Sequence, residues 1–552
     1  MSTGRAAKAA ARRVSLKRRR PSTGVLTRHL SDIRRAVASA TWLGLLATLA
    51  CAPDRGACAE CGTVVIAATG EPSSLLPPLV YETVGRDVTD QVFERLLVLA
   101  PHAAPVDPTG YLPALADRWE RVDSVTWRFR LRAGARWQDG VPVTAADVVF
   151  SFEAYTDPAL ETEAAATLAG LTAQAEDSAT VVVRFARAYP EQLYDATWQV
   201  RILPSHIWGP IPRAEWAGDT SLARIVGSGP YRVTSWVRGQ SLTLEAAPGA
   251  APGIRRAVWR FVPDPDAAIN LLLAGEADLV EHLGPPARVA RVAGDTAVRL
   301  VRYPSAAYGF LGFRLRDARG RPHPVLGERA VRRALAMAVD RSALATAIFG
   351  PGTVAPPGPV SQLLWINSPA IAVLPYDTAA ARASLAAFGR PVTFDILIPS
   401  TSPARRDLAQ ALQQAWRPLG VEVTITAVDF PVFNERLAAG QFDSYIGAWL
   451  DEPSPRGLAD QWARSGWDKL NYGRYDNPRF DALLAQAASA PDSAAAAPLY
   501  RAALDTLNAD APALFLYAPT QVAGVSARLE GVRIDPYSWL SGLATWTAGP
   551  RR

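Results

Sequence analysis

The sequence predicts an α/β protein, on three observations. Strand-like and helix-like patterns alternate from Thr63 to Tyr517, the succession that sets helices against sheets. The segment Trp127–Phe150 contains a complete unit of this kind. Trp127, Phe129 and Leu131 alternate with Arg128, Arg130 and Arg132 as in a half-buried strand, Asp139-Gly140 makes a turn, and Thr144 caps a helix that begins Ala-Ala-Asp-Val-Val. Finally, 49% of the chain is apolar and no cysteine follows Cys61, so the body has ample core material and must hold it by burial alone.

The first element is a leader. Residues 1–50 carry eleven Lys/Arg against the single acid Asp32, a charge of +10. Taken from the whole-chain value of +6, this leaves residues 51–552 at −4, so the pI of about 9.3 reflects the leader and not the body. With no basic patch interleaved with aromatics downstream, nucleic acid is excluded as a partner. Val37–Ala50 is uncharged and mostly apolar; as a helix it would rise about 21 Å, short of a hydrocarbon core of about 30 Å. A basic run ahead of a short apolar core reads as a signal peptide over residues 1–50. Cys58 and Cys61 form a C-x2-C without a second Cys/His pair at zinc spacing, so 51–61 reads as a linker, with no metal or other cofactor.

The body then opens on a buried strand, Thr63–Thr69, and a loop rich in turn formers, Gly70–Pro78. Pro230 after Gly227-Ser-Gly229 sets a sharp turn into a strand Tyr231–Trp236. Within Arg329–Arg341, Val331, Leu335 and Ala338 or Val339 recur at helical spacing and predict a core-facing helix. Asp377 or Thr378 is the N-cap of the next helix, and Gly420 suits a left-handed cap before a strand at 421–425. No internal repeat occurs, and nothing after the leader approaches eighteen uninterrupted apolar residues, so no later segment is expected to span a membrane.

Catalytic motifs are missing. The chain has no G-x-S-x-G elbow, H-E-x-x-H helix or G-x-x-x-x-G-K-S/T loop, and His29, His102, His206, His282 and His323 are scattered singly. The expectation is a binding protein and not an enzyme.

Longer wording matches point to a family. Trp127–Phe150 is similar to the signature F-x-L-R-x-G-x-x-W/F-x-D-G-x-P-x-T-A-x-D-V-x-F-S of the extracytoplasmic solute-binding proteins of family 5, which serve ABC importers of peptides, nickel and oligosaccharides. Val92–Leu97 resembles the family's V-Y-E-G-L helix, and Tyr111–Glu120 its x-L-P-x-L-A-x-S-W-E. Ile202–Ile207, Val226–Tyr231, Ala274–Leu279, Arg329–Arg341, Tyr376–Leu385 and Leu419–Ile425 continue the resemblance almost to the end. One departure is Ala246–Pro252, which replaces the usual Asn-x-x-Tyr.

The resemblance implies a two-lobed periplasmic-binding-protein-like fold (type II, cluster C) with an extra subdomain in the first lobe. Lobe I would comprise 62–100, 223–307 and 512–552, its subdomain 101–222, and lobe II 308–511, with Tyr308–Arg314 and Ala511–Tyr517 as the crossing segments. The implied function is the substrate-binding component of an ABC importer, which captures a peptide-like solute between hinged lobes and delivers it to a permease and its ATPase subunits. A receptor of the same fold for nickel chelate or oligosaccharide, or a ligand sensor outside transport, is the alternative. The protein would be extracytoplasmic and monomeric; small Ala50 before Cys51 resembles a lipoprotein cleavage site that would tether it to a membrane through Cys51.

The resemblance also implies the ligand contacts. Val80, Tyr81 and Thr83 occupy the cleft-lining stretch of lobe I. Gly447–Pro455 resembles the far-lobe segment whose Asp faces a peptide's α-ammonium; it contains Trp449, and the one-residue shift in spacing leaves Asp451 or Glu452 for that role. A carboxylate suits a desolvated ammonium, which needs a charge-assisted partner. Arg405 and Arg406, at a helix start, are the candidates for the ligand carboxylate, which a planar guanidinium fits in bidentate fashion.

Overall fold

A computed structural model gives the protein's structure and describes residues 62–550 apart from His102, Asp451 and Asp468. The signal peptide, Cys51 and the Cys58/Cys61 pair lie outside the described residues. The unit read from Trp127–Phe150 forms as expected. Strand Thr126–Leu131 buries Trp127, Phe129 and Leu131 and leaves Arg130 exposed, and helix Ala145–Thr156 starts at Thr144. The carboxylate of Asp147 secures that start, accepting from the Thr144 backbone N–H at 2.8 Å and from its hydroxyl at 3.2 Å. Its other oxygen accepts from Ser205 N–H and Oγ, tying the helix to Ser205–Trp208.

Two mixed sheets organise the molecule. The first has seven strands in the order Val298–Pro304, Thr520–Ser526, Leu279–Val280, Thr63–Ala68, Arg256–Phe261, Ser241–Ala246 and Tyr231–Val237. Thr63–Ala68 lies near its centre, parallel to both neighbours and buried along all but its first residue, as its unbroken apolar run predicts. The second has five strands in the order Val421–Val428, Val392–Pro399, Ser444–Leu450, Ala307–Phe313 and Ala513–Tyr517. A four-stranded antiparallel sheet, Ala116–Asp123, Thr126–Leu131, Thr180–Phe185 and Leu171–Ala175, packs the residues between. The cores follow the sheets: one apolar cluster draws only on residues 308–517, another only on 96–202, and two more flank the seven-stranded sheet.

Two expectations are corrected. Tyr308–Arg314 and Ala511–Tyr517 are not open crossing segments. Ala307–Phe313 and Ala513–Tyr517 pair with each other as buried strands of the second sheet, because their apolar residues face core on both sides. The chain crosses instead through Ser305-Ala306 and Ala518-Pro519, and the two crossings are hydrogen-bonded, Ser305 N–H to Pro519 C=O at 3.1 Å. Likewise Val92–Leu97 is not a helix. Helix Thr83–Val92 ends there, and Phe93 turns to extended backbone as its ring enters the core.

Other local readings hold. Asp377 caps helix Thr378–Phe388 by accepting from Ala380 N–H at 2.8 Å. Gly420 adopts φ +78° ahead of strand Val421–Val428. The Gly-Ser-Gly-Pro turn has a reason beyond its sharpness: a Cβ at Gly227 would sit 1.8 Å from the carbonyl oxygen of Val92, so only glycine lets the turn pass the end of helix Thr83–Val92.

Candidate functional site

A cavity of about 550 Å³ opens between the two sheet-centred lobes. Helix Thr83–Val92 supplies one wall with Thr83, Arg86, Asp87 and Asp90, which recur at i, i+3, i+4 and i+7 and therefore share a helix face. The subdomain adds Tyr155, Tyr194, Trp198 and Arg201, with Tyr194 stacked on Trp198 at 5.6 Å between ring centroids. Glu281 and His282 follow the short strand Leu279–Val280, and Tyr303, Ser305 and Ala306 bring the wall to the first crossing. From the second lobe come Leu450, Glu452 and Pro453. The volume suits a small to medium solute.

The walls carry organised charge. Asp90 accepts from Arg201 Nε at 2.5 Å, is paired with Arg95 at 2.9 Å, and takes Ser538 Oγ at 3.0 Å. Burial alone would raise this carboxyl, but the two guanidiniums outweigh it and hold Asp90 below its usual value. Asp87 behaves in the opposite way: burial lifts it well above the ordinary carboxylate range, the nearby Glu281 adds to the effect, and the indole N–H of Trp539 only partly offsets it. Burial likewise raises Glu281, to about 7, and lowers His282, which bonds to the Gln521 side chain. Glu452 is also raised by desolvation, against the pull of Arg456.

Asp90 therefore contributes stability that is present above the unfolded value of 3.8 and is lost as pH falls through its depressed folded value. Asp90→Asn should remove it at every pH and leave Arg95 and Arg201 buried together, a loss of about 3 kcal/mol in urea unfolding at pH 7. The difference between native and variant should shrink by pH 2; a constant difference would contradict the assignment.

The residues expected at the cleft divide. Val80, Thr83 and Glu452 line the cavity. Asp451 is outside the described residues. Tyr81 is 43% exposed, does not line the cavity, and bonds through its hydroxyl to Glu161 C=O at 3.3 Å. Trp449 is excluded by strand parity. Its neighbour Leu450 lines the cavity, so Trp449 takes the other face of Ser444–Leu450, stacked between Phe310 and Tyr472. Arg405 and Arg406 also stay away. Helix Pro403–Trp416 begins off the cavity wall, where Arg405 lies over Phe433 and bonds the Tyr517 side chain, and Arg406 reaches Ser400 C=O at 3.3 Å.

Arg86, Asp87, Asp90, Glu281 and the aromatic wall are not among the residues to which the family wording points. The polar stripe of Thr83–Val92 was a usable signal, because its i, i+3, i+4, i+7 spacing is visible in the residues alone.

The profile of the bacterial extracellular solute-binding proteins, family 5 Middle, matches residues 110–469. The oligopeptide-binding protein AppA of Bacillus subtilis is 24% identical over 514 residues, covering 88% of this chain and 91% of its own. Its structure in complex with a nonapeptide superposes with a TM-score of 0.68 at 22% identity, over 88% of this chain and 99% of that one. The ABC transporter substrate-binding protein CtaP of Listeria monocytogenes reaches a TM-score of 0.77 at 21% identity, over 88% and 98%. The fold is thus the two-lobed binding-protein fold.

Proposed function

For a chain that belongs to the bacterial extracellular solute-binding proteins of family 5, we propose that it is the substrate-binding component of a peptide importer. A peptide-like solute enters the cavity, touches both lobes, and is handed to an ABC permease with its ATPase subunits. The observation that carries this reading is the cavity itself, lined by residues of both lobes and by the first crossing, Ser305-Ala306. A solute that touches both walls binds the shut form better than the open one, and it shifts the hinge equilibrium only by that difference. No bond needs to be made or broken for this.

The assignment of lobe I to 62–100, 223–307 and 512–552, of its subdomain to 101–222 and of lobe II to 308–511 is adopted with one shift: Ala513–Tyr517 goes with lobe II. Val80, Thr83 and Glu452 are proposed as ligand contacts, with Glu452 facing an ammonium. The peptide reading is preferred to nickel chelate, oligosaccharide or sensing because AppA and several further relatives carry peptide-binding names. Secretion by the residue 1–50 leader, a tether at Cys51 and a monomeric state complete the proposal. Among the described residues no helix is long and apolar enough to cross a membrane.

Small-angle scattering tests the reading. The radius of gyration should fall when a mixed pool of short peptides is added to the purified chain. An unchanged radius, together with no heat of binding, would refute it.

A further inference from the structure

We propose that this cavity selects cationic solutes, and that Asp87 and Glu281 on the first-lobe wall seat an ammonium or guanidinium of the ligand. The inference rests on the cavity being the solute site and adds the class of solute. Its starting point is a charge imbalance. Five acids line the cavity, Asp87, Asp90, Glu163, Glu281 and Glu452, against the guanidiniums of Arg86 and Arg201. Both cations are already engaged, Arg201 with Asp90 and Arg86 with Glu163. Among the described residues Asp87, Glu281 and Glu452 form no ion pair, and Arg95, the second guanidinium on Asp90, is buried and does not line the cavity, so no free guanidinium faces a ligand carboxylate there.

Two of the three sit together. Asp87 is only 5% exposed, with one oxygen held by the Trp539 indole N–H. Among the described residues no hydrogen bond or ion pair holds the Glu281 carboxylate; only its backbone C=O is engaged, by Tyr303 O–H at 3.1 Å. Burying two like charges beside each other is costly unless a counter-charge arrives. Without a counter-charge, burial and mutual repulsion favour the protonated form of both groups, which raises each of them. A ligand cation does the same work by displacing the proton. The other groups facing the pair do not change this: Asp90 holds both Arg201 and Arg95, a cluster one charge positive beside which Asp87 is still raised, Tyr303 stays protonated, and burial keeps His282 neutral near neutral pH.

Titration calorimetry on the full chain tests the inference, with trilysine, trialanine, triglutamate and spermidine as probes at pH 8 and pH 6. Trilysine should bind at least about tenfold more tightly than trialanine at pH 8, and triglutamate should not bind. Between pH 8 and pH 6 trilysine should lose about tenfold in affinity, because protonation of a group titrating near 7 competes with it. The peptide's own α-amine gains charge over that interval, which acts in the opposite direction, so the loss reports on the protein. Glu281→Gln should lower the affinity at pH 8 by about tenfold and abolish the pH dependence.

A second readout needs no ligand. Glu281 stabilises the fold below its unfolded value of 4.5 and loses that contribution as pH rises through about 7. Empty Glu281→Gln protein should therefore melt above the native chain at pH 8 and level with it at pH 5, and Asp87→Asn should also melt higher at pH 8. Trialanine matching trilysine would overturn the inference while leaving the peptide reading intact. Spermidine binding and compacting the protein where no tripeptide does would uphold the inference and refute the peptide reading. Trilysine affinity unchanged by both pH and Glu281→Gln, or binding of none of the four probes, would overturn the inference.

Discussion

Arg456→Met is expected to weaken ligand binding by about two orders of magnitude without altering a residue of the cavity wall. Arg456 Nη2 lies 2.6 Å from Asp195 Oδ1, and its Nε donates to Ser454 Oγ at 3.1 Å. The Asp195 side chain is fully buried, and its second oxygen takes Tyr189 O–H at 2.7 Å. Beside it, Glu191 accepts from Trp365 Nε1 at 3.1 Å and from Ser454 Oγ at 3.5 Å. Tyr189 packs against the core of the four-stranded sheet, and Glu191 and Asp195 start the helix Gln192–Thr197 that follows it, whereas Trp365 packs against the core of the second large sheet, and Arg456 starts the helix Gly457–Trp462 whose Leu458 and Trp462 belong to that core. These bonds therefore join residues 189–195 to the second lobe, and opening the cleft at this edge would break them.

Burial raises both Asp195 and Glu191, and Arg456 is the cation that opposes the rise. Without it the shut form keeps two buried carboxylates and no counter-charge, a cost of about 3 kcal/mol. The open form lets both meet water, so the cost falls on closure and lowers apparent affinity about a hundredfold. Calorimetry should show the loss, scattering should show a larger radius at the same peptide concentration, and the urea midpoint should barely move. Native affinity and radius in the variant would rule out this clamp.

Asp278→Ala should cost about 4 kcal/mol of folding stability. Asp278 is 1% exposed and lies 2.6 Å from Arg528 Nε and Nη2, while its Oδ2 also accepts the Val65 N–H at 2.8 Å. Arg528 in turn donates to Thr63 C=O at 2.6 Å and to Gly549 C=O at 2.7 Å. One ion pair thus ties the first strand, the strand Leu279–Val280 and the C-terminal segment into the seven-stranded sheet. Alanine would leave a buried guanidinium without its carboxylate and the Val65 N–H without an acceptor. Pairing the change with Arg528→Met should recover a large part of the loss, since the uncompensated charge is then gone. Urea denaturation reads both values, and a single variant within 1 kcal/mol of native would contradict the role given to the pair.

Much of the fold was legible in the residues. Alternation at 126–131, the start at Thr144, the cap at Asp377 and the left-handed Gly420 all depend on neighbours a few positions away, and each forms as expected. The misreadings at Val92–Leu97, Tyr308–Arg314 and Ala511–Tyr517 fall where burial within a sheet or core set the local conformation. Site residues show the same division. Val80, Thr83 and Glu452 were reached through the family wording and do line the cavity, whereas Trp449 lost its place by a single step of strand parity.

The sequence by itself determined the α/β class, the family and the caps and turns, since those arise from contacts within a few residues along the chain. Only the tertiary structure decided which carboxylates share the cleft. Asp87, Glu281 and Glu452 lie far apart in the chain and meet because sheet order and two short crossings bring their elements together. Their altered proton affinities come from burial and mutual charge, which exist only once those elements are packed.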